Sequence, residues 1–391
     1  MRQSRRTTGS LVLLSVTIIV AVMYELLPVG LLGSIASEFE VSEQQAGLLV
    51  SAFSVIVVIG SIPLSAMTAR FDARVTLAVV LGIFCLSAAV MAVSPSLDLA
   101  IVARALGGAA HAVIFTPVYR IALSLVPHRH SVAATTVSAG NALALALGVP
   151  FATALGVAWG WRVPFLVIAV TFAALIVAVV LFVPSHAGAT EERFTTRTVL
   201  TAAVEPALLR VASTVVVILL AQFLTYTYVE PLLRGAGVLE EQVGPVLLGY
   251  GIASVAGLLI ASRTAASRPA ATLRIAVGFI IAALLLVSTM RDSAIGVTVA
   301  VILWGLGFGM LPVLLQVLAL KASHRLPAAA APVSNTAFNI GITLGAIIGG
   351  QVIALLSFGG LGFVSAGILV VVLGVASVPG WLPRDRPAPL P

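Results

Sequence analysis

Twelve apolar stretches of about 20 residues or more follow one another along this chain, separated by mostly short polar gaps. A helix needs about 20 predominantly apolar residues to cross the hydrocarbon core of a bilayer. The predicted spans cover residues 11–33, 46–66, 75–94, 98–122, 133–157, 163–183, 209–229, 243–262, 273–290, 295–319, 331–356 and 360–380. We therefore predict an all-α membrane protein with twelve transmembrane helices.

The composition excludes an ordinary soluble protein. Of the 391 residues, 60% are hydrophobic and 9% are charged, whereas a soluble domain needs roughly 25% charged residues to cover its surface. The net charge of +7 does not indicate nucleic-acid binding, because the basic residues are spread over the gaps between apolar stretches instead of forming one patch. We expect a lipid bilayer around the protein and no nucleic-acid partner.

The distribution of Lys and Arg predicts the orientation. If the N-terminus is cytoplasmic, the inner segments hold fifteen of these residues, and the outer loops hold only Arg162, Arg234 and Arg291. Cytoplasmic loops normally carry this excess of positive charge. The first apolar stretch is longer than the roughly 7–15 residues of a cleaved signal, so we interpret it as a span. We predict a multi-pass protein of the cell (inner or plasma) membrane with both termini in the cytoplasm.

The chain contains two copies of one six-helix unit. A shift of 197 residues places VSEQQAGLLVSAFSVIVVIG (41–60) on VLEEQVGPVLLGYGIASVAG (238–257). The same shift pairs residues in three predicted helices: Phe53 with Tyr250, Gly108 with Gly305, and Gly148 with Gly345. Parallel repeats with a site between them near the bilayer midplane are typical of secondary transporters.

One long polar segment divides the chain nearly in half. It covers residues 184–205 and reads PSHAGATEERFTTRTVLTAAVE. We predict an N-terminal six-helix bundle at 1–184, a cytoplasmic linker at 185–205 and a C-terminal six-helix bundle at 206–391.

Three of the ionisable residues inside predicted spans of the first half are candidates for a function. Glu25 is in the middle of the first span, where a charge costs about 2.5–3.5 kcal/mol on insertion scales. It is either a proton-binding group or a structural partner for a basic group. Arg104 and His111 share one face of the fourth span with Phe115, and a histidine there can either titrate or simply hydrogen-bond. We assign Glu25, Arg104 and His111 to proton coupling.

Neutral polar and aromatic residues in the spans are the candidates for substrate binding. Each of them can line a cavity, or can join helices by hydrogen bonds and packing. In the second half Glu230 follows the seventh span, and we expect it to reach the membrane interface. The substrate-binding candidates are Phe115, Asn141, Gln222, Tyr226, Trp304, Gln316 and Asn339.

Small residues in the fifth and eleventh spans allow helices to approach closely. We therefore assign Gly148, Pro150 and Gly345 to the gating movement. Ordinary tight packing explains the same residues.

Several segments together resemble the major facilitator superfamily over nearly the whole chain. The closest group is the twelve-span drug:proton antiporters, in the branch with sugar-efflux, purine-efflux and chloramphenicol-resistance exporters. The resemblance implies alternating access and proton-coupled efflux of a small organic molecule such as a drug, sugar or metabolite. The similar segments are YELLPVGLL (24–32), AGLLVSAFSV (46–55), RALGGAAHAVIF (104–115), GNALALALGVPFATALG (140–156), GWRVPF (160–165), TYVEPLL (227–233), WGLGFGMLPVLLQ (304–316) and AFNIGITLGAIIGG (337–350).

The loop between the second and third spans departs from the superfamily pattern. It reads SAMTARFDAR (65–74), with Ala69 where an aspartate is usual. Arg70 and Arg74 occupy basic positions of that motif, and the resemblance implies a gating role for both. Asp72 is the one acid in the loop that could take the place of the missing aspartate.

We predict no enzymatic activity, no cofactor and no metal site. His128, His130, His186 and His324 lie in predicted gaps without ligand spacing, and Cys85 is the only cysteine, which excludes an intramolecular disulfide. We expect a monomer that handles a small-molecule substrate and protons. The alternative is an importer or symporter of the same fold.

Overall fold

The computed structural model describes residues 2–126, 130–184, 204–265, 267–323 and 330–382. The regular elements within these ranges are helices. In the first half they are α1 (Arg2–Leu26), a 3₁₀ turn (Leu27–Gly30), α2 (Leu32–Glu38), α3 (Glu43–Thr68), α4 (Ala73–Val93), α5 (Leu97–Leu125), α6 (His130–Trp159) and α7 (Arg162–Phe182). In the second half they are α8 (Pro206–Tyr226), α9 (Val229–Gly235), α10 (Glu240–Thr264), α11 (Pro269–Thr289), α12 (Ala294–Ala322) and α13 (Ala330–Ala376).

The prediction of an all-α membrane fold is confirmed. Among the described residues, ten helices are long and apolar enough to cross a membrane. The fifth predicted span corresponds to α6. Within α6 the residues Gly148–Trp159 form an apolar helix that is too short to be one of these ten. The last two predicted spans lie in α13, in which two helices meet at a kink: the backbone at Ser357 is non-helical, with φ 59° and ψ −178°.

The first predicted span does not continue to residue 33 as one helix. It ends at Leu26, and a 3₁₀ turn containing Pro28 follows before α2 begins. Proline has no N–H to donate, and its ring clashes with the carbonyl four residues earlier, so the α-helix ends here. Likewise α8 ends at Tyr226, three residues before the predicted end, and α9 follows.

The helix bounds follow the internal repeat. A shift of 197 residues carries Leu32–Glu38 onto Val229–Gly235, and Leu97–Leu125 onto Ala294–Ala322, with no difference at either end. Two segments of different sequence therefore begin and end their helices at equivalent positions, as expected of two copies of one unit.

Two compact units make up the structure. Unit 1 contains Met1–Leu31 and Ala52–Thr196, and unit 2 contains Leu32–Ser51 and Arg197–Pro391. The predicted domain bounds stay a prediction, but one feature of the units stands out: α2 and the start of α3 are grouped with the second half of the chain.

Each unit has an aromatic interior. The largest buried side chains of unit 1 are those of Tyr24, Phe53, Phe84, Phe165, Phe172 and Arg104. Those of unit 2 are Trp304, Tyr226, Tyr228, Tyr250 and Phe223. The ends of several helices have side-chain caps: Asp72 accepts a hydrogen bond from the Val75 N–H at 3.0 Å, which satisfies one of the free donors at the start of α4.

Candidate functional site

A buried acid–imidazole pair lies at the centre of unit 1. Glu25 on α1 is 7% exposed and His111 on α5 is 2% exposed. Their facing atoms, Oε2 of Glu25 and Nε2 of His111, are 3.5 Å apart. The other oxygen of Glu25, Oε1, and the other nitrogen of His111, Nδ1, have no hydrogen-bond partner among the described residues. The pair therefore keeps one free polar atom on each member, which a proton or a ligand group can use.

Arg104 fixes the end of α1 next to this pair. In an α-helix each N–H bonds the carbonyl four residues earlier, so Pro28 leaves the carbonyl of Tyr24 without its helical donor. Nη1 of Arg104 donates to this Tyr24 oxygen at 2.8 Å, and Nη2 donates to the backbone oxygen of Glu25 at 2.7 Å. A cation at the C-terminal end of a helix is also favoured by the helix dipole.

Aromatic rings enclose the Glu25–His111 pair. Phe53 and Phe115 meet the imidazole of His111 edge-on, each with ring centroids 5.4 Å away. The guanidinium carbon of Arg104 lies 4.3 Å from the ring centroid of Phe53, a cation–π distance. Phe115, predicted to bind substrate, is thus a neighbour of the proposed proton-coupling residues and is only partly buried.

A second polar cluster, without charge, lies in unit 2. Nε2 of Gln222 donates to the Tyr250 hydroxyl at 3.1 Å, and Nε1 of Trp304 donates to Oε1 of Gln222 at 2.8 Å. Tyr226 stacks on Tyr250 with ring centroids 5.0 Å apart and meets Trp304 edge-on at 5.7 Å. Three predicted substrate-binding residues, Gln222, Tyr226 and Trp304, are therefore brought together.

The two clusters occupy equivalent positions of the repeat. The shift of 197 residues pairs Glu25 with Gln222 and His111 with Phe308. The titratable pair of unit 1 is thus replaced by an amide and a phenyl ring in unit 2, and Phe308 stacks with Tyr226 at 6.2 Å. This difference between the two halves could have been found from the sequence, by applying the 197-residue shift to the first and seventh spans.

Asn339 is buried on α13 with one unsatisfied atom. Its Nδ2 donates to the backbone oxygen of Asn335 at 3.0 Å. Its Oδ1 has no partner among the described residues, and the same holds for the hydroxyl oxygens of Thr336 and Thr343. Spacings of three and four residues place these three side chains on one face of the helix. Sequence reasoning selected Asn339 but missed both threonines.

One further substrate-binding candidate, Gln316, lies apart from these clusters. Gln316 is exposed on α12, twelve residues after Trp304, which is about 18 Å along a helix. Asn141 belongs to α6, but its side chain lies outside the part of the chain that the structure describes.

Most of the predicted gating residues make contacts inside one unit. An added Cβ at Gly148 would lie 3.3 Å from Cα of Met23, so α6 runs close to α1 there. An added Cβ at Gly345 would lie 2.6 Å from the backbone oxygen of Leu220, so α13 approaches α8 even more closely. Pro150 is buried within α6.

The two basic residues near the start of α4 make different contacts. Arg74 donates to the carbonyl of Val180 on α7. The guanidinium of Arg70 lies 5.2 Å from the ring centroid of Phe71. Asp72 caps α4, as described above, which gives the acid of this loop a local structural role.

Glu230, which we expect from the sequence to reach the membrane interface, is buried within unit 2. The residue on α9 is 4% exposed. Its Oε2 accepts a hydrogen bond from the backbone N–H of Gly33 at 2.7 Å. The contact joins residues 197 positions apart, which no local sequence pattern could indicate.

Two solved transporter structures share this fold. The human organic anion transporter MFSD10 (TETRAN) is 17% identical and superposes with a TM-score of 0.69 over 96% of this chain and 100% of that chain. A variant of the nucleoside transporter NupG is 14% identical, with a TM-score of 0.72 over 95% of this chain and 98% of that chain. At these identities the likeness shows the fold alone.

Sequence relatives give the family. A protein of Mannheimia succiniciproducens named "Probable sugar efflux transporter" is 27% identical over 356 residues, 90% of this chain and 88% of the relative. The family model described as Major Facilitator Superfamily matches residues 13–333, well over half of the chain. The resemblance to that superfamily is therefore confirmed: this multi-pass membrane protein belongs to the Major Facilitator Superfamily and is a secondary transporter, not an enzyme.

Proposed function

We propose that this transporter exports a small organic molecule in exchange for protons, by alternating access. The observation that carries the proposal is the buried Glu25–His111 pair, with 3.5 Å between Oε2 and Nε2 and a free polar atom on each residue. A carboxyl inside a membrane span is costly, so its presence indicates a role beyond packing. The relative named as a sugar efflux transporter favours efflux over import and a sugar over other substrates.

The two clusters have different parts in this proposal. In unit 1, Glu25 takes up and releases the proton, and His111 holds the carboxyl and can pass the proton on through Nδ1. Arg104 acts as a positioning residue, because it holds the backbone of α1 at Tyr24 and Glu25. A change in the protonation of Glu25 then acts on the end of α1, where Pro28 already interrupts the helix.

The neutral residues supply substrate contacts. Gln222 has both ends of its amide occupied, by Tyr250 and Trp304, so its role is to orient these two rings. The aromatic faces then offer a wall for the apolar side of a ligand. The free Oδ1 of Asn339 can accept a hydrogen bond from a substrate hydroxyl, which suits a sugar.

Proton release from everted membrane vesicles tests the proposal. Respiring vesicles are loaded with protons, and a panel of sugars, nucleosides and drug-like compounds is added from outside while internal pH is followed. An exporter of this kind releases protons when its substrate is added, and Glu25→Gln abolishes the release. Glu241→Gln serves as the matched control, because Glu241 is an exposed acid on α10.

Two outcomes would contradict the proposal. Undiminished coupled export by Glu25→Gln would remove this residue from the coupling. Substrate uptake into cells together with protons would indicate the symporter alternative.

A further inference from the structure

A single backbone hydrogen bond ties α2 to a buried acid of the second half. The N–H of Gly33 donates to Oε2 of Glu230 at 2.7 Å. Gly33 leaves no space for a side chain at this point, because an added Cβ would lie 2.6 Å from Oε2 and 3.0 Å from Oε1. The acid is therefore held directly against the main chain at the start of α2.

Tyr228 of the second half lies against the same segment and against α13. The hydroxyl of Tyr228 donates to the backbone oxygen of Ala346 at 2.8 Å. An added Cβ would lie 2.5 Å from this hydroxyl at Gly47 of α3 and 2.9 Å from it at Gly350 of α13. The residues Leu32–Ser51, which carry both Gly33 and Gly47, belong to unit 2, although Leu31 and Ala52 on either side of them belong to unit 1.

The charge of Glu230 is poorly compensated where it lies. Nη1 of Arg234 is 3.8 Å from Oε1 of Glu230 but 3.5 Å from Oε2 of Glu240, so the guanidinium is shared between two acids. The side chain of Arg234 is also 44% exposed, where water weakens an ion pair. A buried carboxylate needs close partners to offset its lost hydration.

The surrounding groups act on the pKa of Glu230 in both directions, and burial is the largest influence. Burial raises the pKa of Glu230, while the Gly33 hydrogen bond and the charge of Arg234 lower it. The neighbouring acids Glu240 on α10 and Glu43 on α3 raise it further. The net direction is upward, so the carboxyl binds a proton more tightly in this buried position than it would in water.

We propose that Glu230 is a second proton-binding residue of the transport cycle, which latches the segment Leu32–Ser51 to unit 2 when its carboxyl is neutral. Its ionised form favours an arrangement in which the segment has left unit 2 and the carboxylate is hydrated. The neutral carboxyl can still accept the Gly33 hydrogen bond through its carbonyl oxygen. This inference goes beyond the proposed function, which assigns proton coupling to unit 1 alone.

The dependence on pH follows from linkage. Because the buried form has the higher pKa, the latched arrangement is favoured as the pH falls and is lost as the pH rises through the pKa of the buried carboxyl. One proton is involved, so the ratio of latched to released molecules changes by up to about tenfold per pH unit. The predicted topology puts α9 at the outer ends of the spans, where an acidic exterior would promote closure of the segment over Glu230.

Distance measurements between spin labels test the latch without any substrate. The full chain carries labels at Ser37→Cys on α2 and Gln242→Cys on α10, both exposed positions of unit 2, in a Cys85→Ser background. Distances are recorded in lipid nanodiscs between about pH 5 and about pH 8, a range in which a raised carboxyl pKa becomes visible. We expect the short-distance population to increase at low pH, and to be high and independent of pH in Glu230→Gln, whose amide imitates the neutral acid.

Two further variants keep the inference testable if Glu230→Gln does not fold. Glu240→Gln is the matched control: it removes a half-exposed neighbouring acid and should keep a pH response, moved to lower pH because Glu240 no longer raises the pKa of Glu230. Gly33→Ala places a methyl against the carboxyl and should lower the short-distance population at every pH.

A distance distribution of the parent protein that does not change with pH, or a pH response that survives in Glu230→Gln, would overturn the latch. Neither result depends on whether the protein exports a sugar, so failure of the proposed function would be seen separately.

Discussion

Nη1 of Arg104 donates a hydrogen bond of 2.8 Å to the backbone oxygen of Tyr24, the carbonyl that Pro28 leaves without a helical partner. Pro28 thus leaves a buried carbonyl without a hydrogen-bond donor, and the buried Arg104 on α5 supplies that donor. This contact lies beside Glu25, so the position of the acid depends on an arginine 79 residues away.

Loss of Arg104 should destabilise unit 1. Arg104→Ala removes a donor from each of two buried carbonyls and leaves the Tyr24 oxygen, which has no helical donor, unsatisfied, at a cost of about 1–3 kcal/mol. Arg104→Lys keeps the charge but not the two-pronged geometry, so it should retain part of the stability. Thermal unfolding in detergent measures the effect, with Arg120→Lys as the control, because Arg120 near the end of α5 is only partly buried and donates to the backbone oxygen of Phe71. Equal unfolding temperatures for the parent and Arg104→Ala would contradict this role.

Replacement of His111 by its repeat counterpart should uncouple transport. His111→Phe copies Phe308 of unit 2 and removes the facing group of Glu25. A positioned proton-transfer group typically contributes about 10²–10⁴-fold to the step that it serves, so coupled export should fall at least about tenfold. Proton release from vesicles measures it, and His111→Gln, which keeps a polar side chain, should fall less. If His111→Phe couples normally, the imidazole has no part in proton movement.

Gln222 should stabilise unit 2 through the two rings that it joins. Gln222→Leu leaves Nε1 of Trp304 and the hydroxyl of Tyr250 without their partner, at about 1–3 kcal/mol for each buried group. Gln222→Glu can accept hydrogen bonds from both and should destabilise less. The unfolding temperature and the tryptophan emission report the change. A Gln222→Leu variant as stable as the parent would show that the cluster contributes nothing to the fold.

Gly345 should tolerate no side chain. Gly345→Ala puts a methyl 2.6 Å from the Leu220 oxygen, and overpacking of this kind costs about 1–3 kcal/mol. Gly278→Ala on α11 is the matched control, because an added Cβ there meets no atom within 4 Å. Folded yield and unfolding temperature in detergent compare the two. Similar values for both variants would show that α8 and α13 can separate without loss.

The sequence was sufficient for the fold and for part of the site. Apolar stretches of spanning length and the constant shift of 197 residues predicted the all-α membrane fold and its two copies. The selection of Glu25 and His111 rested on the cost of polar groups in a span, and the structure brings the two side chains together.

Proline chemistry predicts an interruption of the first span at Pro28, although hydropathy alone does not reveal it. Two other features could not be predicted from the sequence, for identifiable physical reasons. The burial of Glu230 depends on a contact with Gly33 across 197 residues. The unsatisfied hydroxyls of Thr336 and Thr343 look like ordinary helix residues, because a threonine usually satisfies its hydroxyl within its own helix.

Infrared titration of the purified protein tests most directly that Glu25 binds and releases a proton. The carbonyl stretch of protonated carboxyl groups is followed while the pH is raised, in a Glu230→Gln background that removes the second buried acid. The account predicts a titrating carboxyl band that is present in this background and missing when Glu25→Gln is added. An unchanged band after Glu25→Gln would contradict it, whatever the substrate is.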